Sequence, residues 1–155
     1  MNRKPQFADM KALYIPPFTQ RYYYDRDGNR FVEPVERNLQ PTGIHVFDRW
    51  LQALSEGQTD SLRFCYAESL DMQYFYGFIQ VLTGMSHSDF RDRYLLLLAD
   101  DLLRYTDLQA EEIGRRIGLI GKNSFNKFMK RMSGATPIQR RNALRQPGDL
   151  NRYVW

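Results

Sequence analysis

Ten residues in the last third of the chain, Lys122 to Arg131 (Lys-Asn-Ser-Phe-Asn-Lys-Phe-Met-Lys-Arg), have the types and spacing to hold duplex DNA. Wound as a helix, they place Phe125, Phe128, Met129 and the following Met132 on one face, the i, i+3, i+4, i+7 spacing of a buried stripe. Lys122, Asn123, Asn126, Lys127 and Lys130 fall on the other face. Ammonium groups hold phosphates, carboxamides read base edges, and no carboxylate on that face repels DNA. The short residues Gly121 and Ser124 let such a helix come close to a groove. The chemistry is that of a recognition helix.

A second helix of the same design lies fifty residues upstream. Phe75, Phe78, Ile79 and Leu82 repeat the apolar positions of Phe125, Phe128, Met129 and Met132. Gly84 matches Gly134 and Ser86 matches Thr136, so the stop signal repeats as well. Glycine just past a helix suits a left-handed cap, and Ser or Thr suits the N-cap of the next helix. The outward face does not repeat: Gln73, Tyr74, Tyr76, Gly77 and Gln80 stand where the other helix has its basic and amide set. The two units share a scaffold and differ in what they present.

Other chemistries find little support. The single cysteine, Cys65, excludes an internal disulfide, and His45 and His87 have no neighbours at metal-ligand spacing. Asp100-Asp101 and Glu111-Glu112 are adjacent pairs, and adjacent helical residues do not face one another, so they are poor acid/base partners. No catalytic residue, metal or cofactor is expected. The N-terminus shows no signal peptide and the longest apolar run is too short to span a bilayer, so a soluble cytoplasmic protein, nucleoid-associated if it binds DNA, is expected.

With 155 residues and 43% apolar content, the chain can form one domain with a substantial arm. The net charge of +4 is unevenly spread. Residues 1–60 balance, residues 61–105 carry −2, and residues 106–155 carry +6. A basic C-terminal third on a neutral body is the footprint of a nucleic-acid face.

The elements that must position these side chains can be read in order. Residues 1–42 form an irregular arm broken by Pro5, Pro16, Pro17, Pro34 and Pro41, with a candidate β-hairpin around Asp27-Gly28, packing either on the main domain or on a protein partner. From Gly43 the pattern is helical. Ile44, Phe47, Trp50, Leu51 and Leu54 make a first helix ending before Gly57. Thr59 or Asp60 caps a second carrying Leu62, Phe64, Cys65 and Leu70. Gln73–Leu82 is the third. Ser86 and Asp89 open a long fourth helix carrying Phe90, Tyr94, Leu97, Leu98 and Leu102. Asp107 to Gly118 is the fifth, residues 122–132 the sixth, and Thr136-Pro137 opens a seventh with Arg140, Arg141 and Arg145. The expected fold is all-α with seven helices, and resemblance to a known family implies that they form a bundle of two helix-turn-helix units (43–85 and 106–147) joined by a linker helix (86–105). A tail, 148–155, follows.

Over residues 44–145 this arrangement resembles the DNA-binding domain of AraC/XylS-type transcription regulators. The match is densest from Thr106 to Arg141. There Leu108, Glu111-Glu112-Ile113-Gly114, Ile117-Gly118-Leu119, Phe125, Lys130, Gly134, Thr136-Pro137 and Arg141 fall in the second helix-turn-helix signature. Ala99-x-x-Leu102-Leu103 fits the family's linker helix, and Thr83-Gly84-Met85-Ser86 fits the end of its first motif. Departures are specific. Ile120 and Gly121 replace a polar capping pair, and Leu119 replaces a common aromatic. Glu68 and Ser69 replace an apolar residue and the turn glycine, and Gly77 replaces a frequent basic residue.

The resemblance implies a bacterial regulator binding double-stranded DNA, with RNA polymerase at a promoter as a further candidate partner. No small-molecule effector is implied, because 42 residues cannot hold a sensor domain. Arg115, Arg116, Lys130, Arg131, Arg140 and Arg141 are then expected on phosphates. Lys122, Asn123, Asn126 and Lys127 are expected at base edges, with Gln73, Tyr74, Tyr76 and Gln80 in the first unit. A linker of about 18 residues spans roughly 27 Å, the scale of one helical turn of DNA. The alternative is a protein-interaction module in which the first unit and the tyrosine-rich arm bind another protein.

Overall fold

The computed structural model describes residues 6–121 and 123–155, which form a helical bundle with a two-stranded hairpin at the N-terminal side. In chain order the elements are α1 (Met10–Leu13), β1 (Gln20–Tyr24), β2 (Arg30–Pro34), α2 (His45–Ser55), α3 (Ser61–Ala67) and α4 (Met72–Thr83). Then come α5 (His87–Tyr105), α6 (Ala110–Arg116), α7 (Ser124–Ser133), α8 (Pro137–Leu144) and a 3-10 turn at Asp149–Asn151. The seven helices expected after residue 43 are present as α2 to α8, and α1 is an additional single turn in the arm. No helix among the described residues is long and apolar enough to cross a membrane.

Two apolar cores lie along one shared helix. Phe47, Trp50, Leu51 and Leu54 of α2 pack with Cys65, Phe75, Ile79, Phe90 and Tyr94 in the first. Leu95, Leu98, Ala99, Leu102 and Leu103 of α5 pack with Ile113, Ile117, Phe125, Phe128 and Met129 in the second. α5 therefore contributes its first half to one core and its second half to the other. Leu62, expected in the apolar frame of its helix, is instead exposed, and Leu97 is only half-buried. On α5 the seam rotates to Leu95, which is fully buried.

The arm packs on the bundle. Leu13 and Ile15 fill the first core and Phe18 the second. The Tyr14 hydroxyl donates to Asp101 of α5 across 2.6 Å, and the Tyr94 hydroxyl accepts from the Ile15 amide at 3.1 Å. β1 pairs antiparallel with β2 in the register Tyr22↔Val32, and the turn closes with Gly28 at φ +81°. The Asp25 carboxylate accepts from the Asn29 side-chain amide and from the Asn29 and Asp27 backbone amides, which holds it below the usual carboxylate range. On its other edge β1 meets the tail: the Tyr22 amide donates to the Arg152 carbonyl and the Val154 amide to the Gln20 carbonyl. Phe18 stacks flat on Tyr153 with ring centroids 4.2 Å apart.

Candidate nucleic-acid interface

The two units repeat bond for bond in the backbone. After α3 the amides of Glu68, Ser69 and Leu70 donate to the carbonyls of Phe64, Tyr66 and Cys65. After α6 the amides of Ile117, Gly118 and Leu119 donate to those of Ile113, Arg115 and Gly114, forty-nine positions on in every case. Ser69 occupies the left-handed conformation (φ +55°) that Gly118 takes without strain (φ +86°). The departure at Ser69 thus leaves the turn intact.

The far ends of α4 and α7 match equally well, at a spacing of fifty. Gly84 and Gly134 adopt φ +74° and +73°, donating to the Gln80 and Lys130 carbonyls. The Thr83 and Ser133 hydroxyls both donate back four residues, to Ile79 and Met129, at 2.7 Å. Ser86 then caps α5 and Thr136 caps α8, each accepting the amide three residues on at 3.2 Å. At α8 the reciprocal bond from Thr136 N–H to Gln139 completes a capping box; no such bond from Asp89 accompanies the Ser86 cap.

The near ends of the two helices differ. Asp71 accepts the Tyr74 amide and starts α4 at once. Its counterpart fifty positions on is Gly121, which has no side chain to offer. α7 therefore starts at Ser124, preceded by Asn123 in a left-handed conformation (φ +67°) with no side-chain cap. Asn123, expected on the helix face, lies just before it. Lys122, expected at a base edge, lies outside the described residues.

On α7 the stripe of Phe125, Phe128 and Met129 is buried, while Asn126, Lys127, Lys130 and Arg131 face solvent. Among the described residues, none of the arm or the tail bonds to these four side chains, and all four are exposed. Arg131 also reaches Asp92 of α5 at 3.0 Å, so its guanidinium is partly committed. Arg115 and Arg116 of α6 are exposed; Arg116 lies 3.5 Å from Glu112 and 4.9 Å from the centre of the Trp155 ring. On α4, Gln73, Tyr74 and Gln80 are exposed.

Three further residues expected at DNA are held by partners within the protein. Arg140 makes a bidentate pair with Asp100 of α5, at 2.9 and 2.7 Å. Arg141 turns inward, its burial lowering the guanidinium pKa, and donates to the carbonyls of Leu103, Thr106 and Leu108. Tyr76 stacks on His87 with centroids 3.6 Å apart and bonds Ser61 through its hydroxyl at 2.8 Å. Arg145, not counted among the site residues, joins Arg141 by donating to the Leu103, Arg104 and Thr106 carbonyls and pairing with Asp107. The signal for this was the long helix itself: its last carbonyls need donors from elsewhere. Much of the C-terminal positive charge therefore closes α5. The acidic pair there is also committed, Asp100 to Arg140 and Asp101 to Tyr14.

No family model matches the chain, and no curated protein matches it. Among solved structures it is similar to the C-terminal domain of AraT, a response regulator from Geobacillus stearothermophilus. The two share 23% identity with a TM-score of 0.52, over 57% of this chain and 74% of that one. At that identity the likeness is one of fold: the helical bundle of this protein is an architecture also found in the C-terminal domain of a response regulator.

Proposed function

We propose that this protein is a non-enzymatic transcription regulator that binds double-stranded DNA by placing α7 in a major groove. The observation that carries the reading is the outward face of α7. Asn126, Lys127 and Lys130 stand clear of the bundle with no acidic residue among them, on a helix anchored from behind by Phe125, Phe128 and Met129. In this reading Asn126 and Lys127 read base edges, together with Asn123 just before α7 and, from the sequence alone, Lys122. Lys130, Arg131, Arg115 and Arg116 hold phosphates. α4 takes the neighbouring groove segment, about one helical turn away, so residues 43–147 act as one DNA-binding unit. The resemblance to AraC/XylS-type regulators and the shared fold with a response-regulator domain support this assignment, with RNA polymerase as the further partner at a promoter in a bacterial cytoplasm.

With Arg140 and Arg141 withdrawn, about four phosphate contacts remain, and log affinity should fall with log salt at a slope near −4. Selection of bound fragments from random duplex, followed by titration at several salt concentrations, tests the proposal. A recovered consensus with a steep slope supports it. The competing adaptor reading draws on the hairpin, where Tyr23, Tyr24, Phe31 and Val32 are all exposed. It requires duplex binding that is absent or indifferent to sequence. Asn126→Ala should relax base preference, whereas Lys130→Ala should weaken binding to all sequences alike.

A further inference from the structure

α4 and α7 follow equivalent turns and end in equivalent glycine caps, yet their solvent faces have opposite chemistry. At a spacing of fifty, Gly77 replaces Lys127, Gln80 replaces Lys130 and Val81 replaces Arg131, so every cation on α7 has an uncharged counterpart on α4. Tyr74 is 73% exposed and Val81 79%. Helical geometry orders this face into two strips. Gln73 and Gln80 lie about 40° and 60° to one side of Gly77, and Val81 and Tyr74 about 40° and 60° to the other.

Gly77 sits between the strips, in mid-helix, where glycine is the poorest helix former after proline. Apart from its chain neighbours and the backbone of its own helix, no described atom lies within 4 Å of the position its Cβ would take. Nothing inside the fold asks for a missing side chain there. What gains from it is a surface that comes down onto the helix from outside.

We propose that α4 reads A·T base pairs in the major groove, a reading that rests on duplex binding through α7. An A·T pair presents adenine N7 and N6–H₂ beside the thymine C5-methyl group. Glutamine pairs bidentately with the adenine edge, and apolar side chains cover the methyl. The amide strip of Gln73 and Gln80 and the apolar strip of Tyr74 and Val81 reproduce that pairing of groups across one helix face. Gly77 lets the backbone approach the groove floor between them. Because the face carries no charge, it displaces no counterions and adds sequence preference without salt dependence. The two units thus divide the work: α7 supplies electrostatic affinity, and α4 reads composition.

The test uses the full chain and duplexes carrying the selected site, with thymines replaced by uracil in one groove segment at a time. Uracil keeps every hydrogen-bonding group and loses only the methyl. In the α4 segment each methyl removed should weaken binding about fourfold, and Tyr74→Ala should abolish that sensitivity while leaving the salt slope unchanged. Gly77→Leu should melt at or above the temperature of the parent chain, since leucine is the better helix former and the space is open. It should nonetheless bind the site at least tenfold more weakly. If uracil is tolerated throughout the α4 segment, or Gly77→Leu binds as well as the parent while Lys130→Ala still weakens binding, α4 is not an A·T reader and its face serves another partner. Failure of the parent chain to bind any duplex would overturn the function itself and this inference with it.

Discussion

Gly57 and Gly118 interlock: the carbonyl of Gly57 fills the space where Gly118 would carry a side chain, and a Cβ on Gly57 would strike the Arg116 carbonyl. Both glycines have positive φ, +80° and +86°. The loop after α2 and the turn between α6 and α7 therefore meet backbone to backbone. This contact and α5 together fix the second helix-turn-helix pair relative to the first, and with it the separation of α4 from α7.

Gly118→Ala should destabilise the protein by about 2–4 kcal/mol, combining left-handed strain with a collision against backbone that cannot yield. Gly43→Ala is the matched control. Its φ is +73° but nothing lies within 4 Å of the added methyl, so only about 1 kcal/mol should be lost. Urea unfolding of the two variants measures the difference.

Ser69→Gly should stabilise the fold by about 1 kcal/mol, by relieving the one left-handed serine at a position whose counterpart is Gly118. For a chain of this size the melting temperature should rise by roughly 2–4 °C. An unchanged or lowered melting temperature would mean that the serine conformation is not strained.

Arg140→Ala and Lys130→Ala should separate cleanly. Loss of Arg140 leaves Asp100 half-buried without its bidentate partner, and about 1–3 kcal/mol of stability should go with it. At a temperature where both variants are folded, its salt slope for DNA should match that of the parent. Lys130→Ala should melt like the parent and lose about 0.9 from the slope. A lowered slope for Arg140→Ala would return that side chain to the phosphate contacts.

Asp101 gives a pH signature. Desolvation raises its carboxyl pKa above the ordinary 3.8, and the Tyr14 bond only partly opposes this. The native state therefore holds the proton more tightly than the unfolded chain, and stability from this group falls as pH rises from 3.8 through the raised value. Asp149 runs the opposite way: Arg104 and the Gln146 amide hold its carboxyl low, and its contribution is lost as pH falls through that lowered value. Asp101→Asn should thus gain on the parent between acidic and neutral pH and lose that advantage below about pH 4. Denaturant midpoints measured across pH give the difference directly.

Most helices were legible from an apolar stripe, and four of them carry a side-chain cap as well, whereas α2, α6 and α7 have none. Asp60, Asp71, Ser86 and Thr136 all cap where a short polar side chain precedes a periodic run. The hairpin was legible from Asp27-Gly28 between two aromatic segments. The roles of the arginines were not. Arg140, Arg141 and Arg145 look in sequence like a basic cluster for phosphates. Only the crossing of α8 over the end of α5 reveals that carbonyls and Asp100 lie within their reach. Tyr76 was misplaced for a similar reason: its exposure depends on the angle between α3 and α4, which periodicity within one helix does not report. The burial of Leu13, Ile15 and Phe18 was equally hidden, since a proline-broken segment carries no period to show which side faces the core.

The tail pairing with β1 has a kinetic consequence. Residues 152–154 join residues 20–22 across nearly the whole length of the chain, and Phe18 finds its stacking partner only there. Closing so long a loop carries the largest chain-entropy penalty in the molecule and raises its contact order. The bundle can assemble from neighbouring helices first, leaving the hairpin to dock last. In refolding, Tyr153 and Trp155 should therefore report a slower phase than Trp50, and during synthesis the outer edge of β1 must stay unpaired until residues 152–154 have been made.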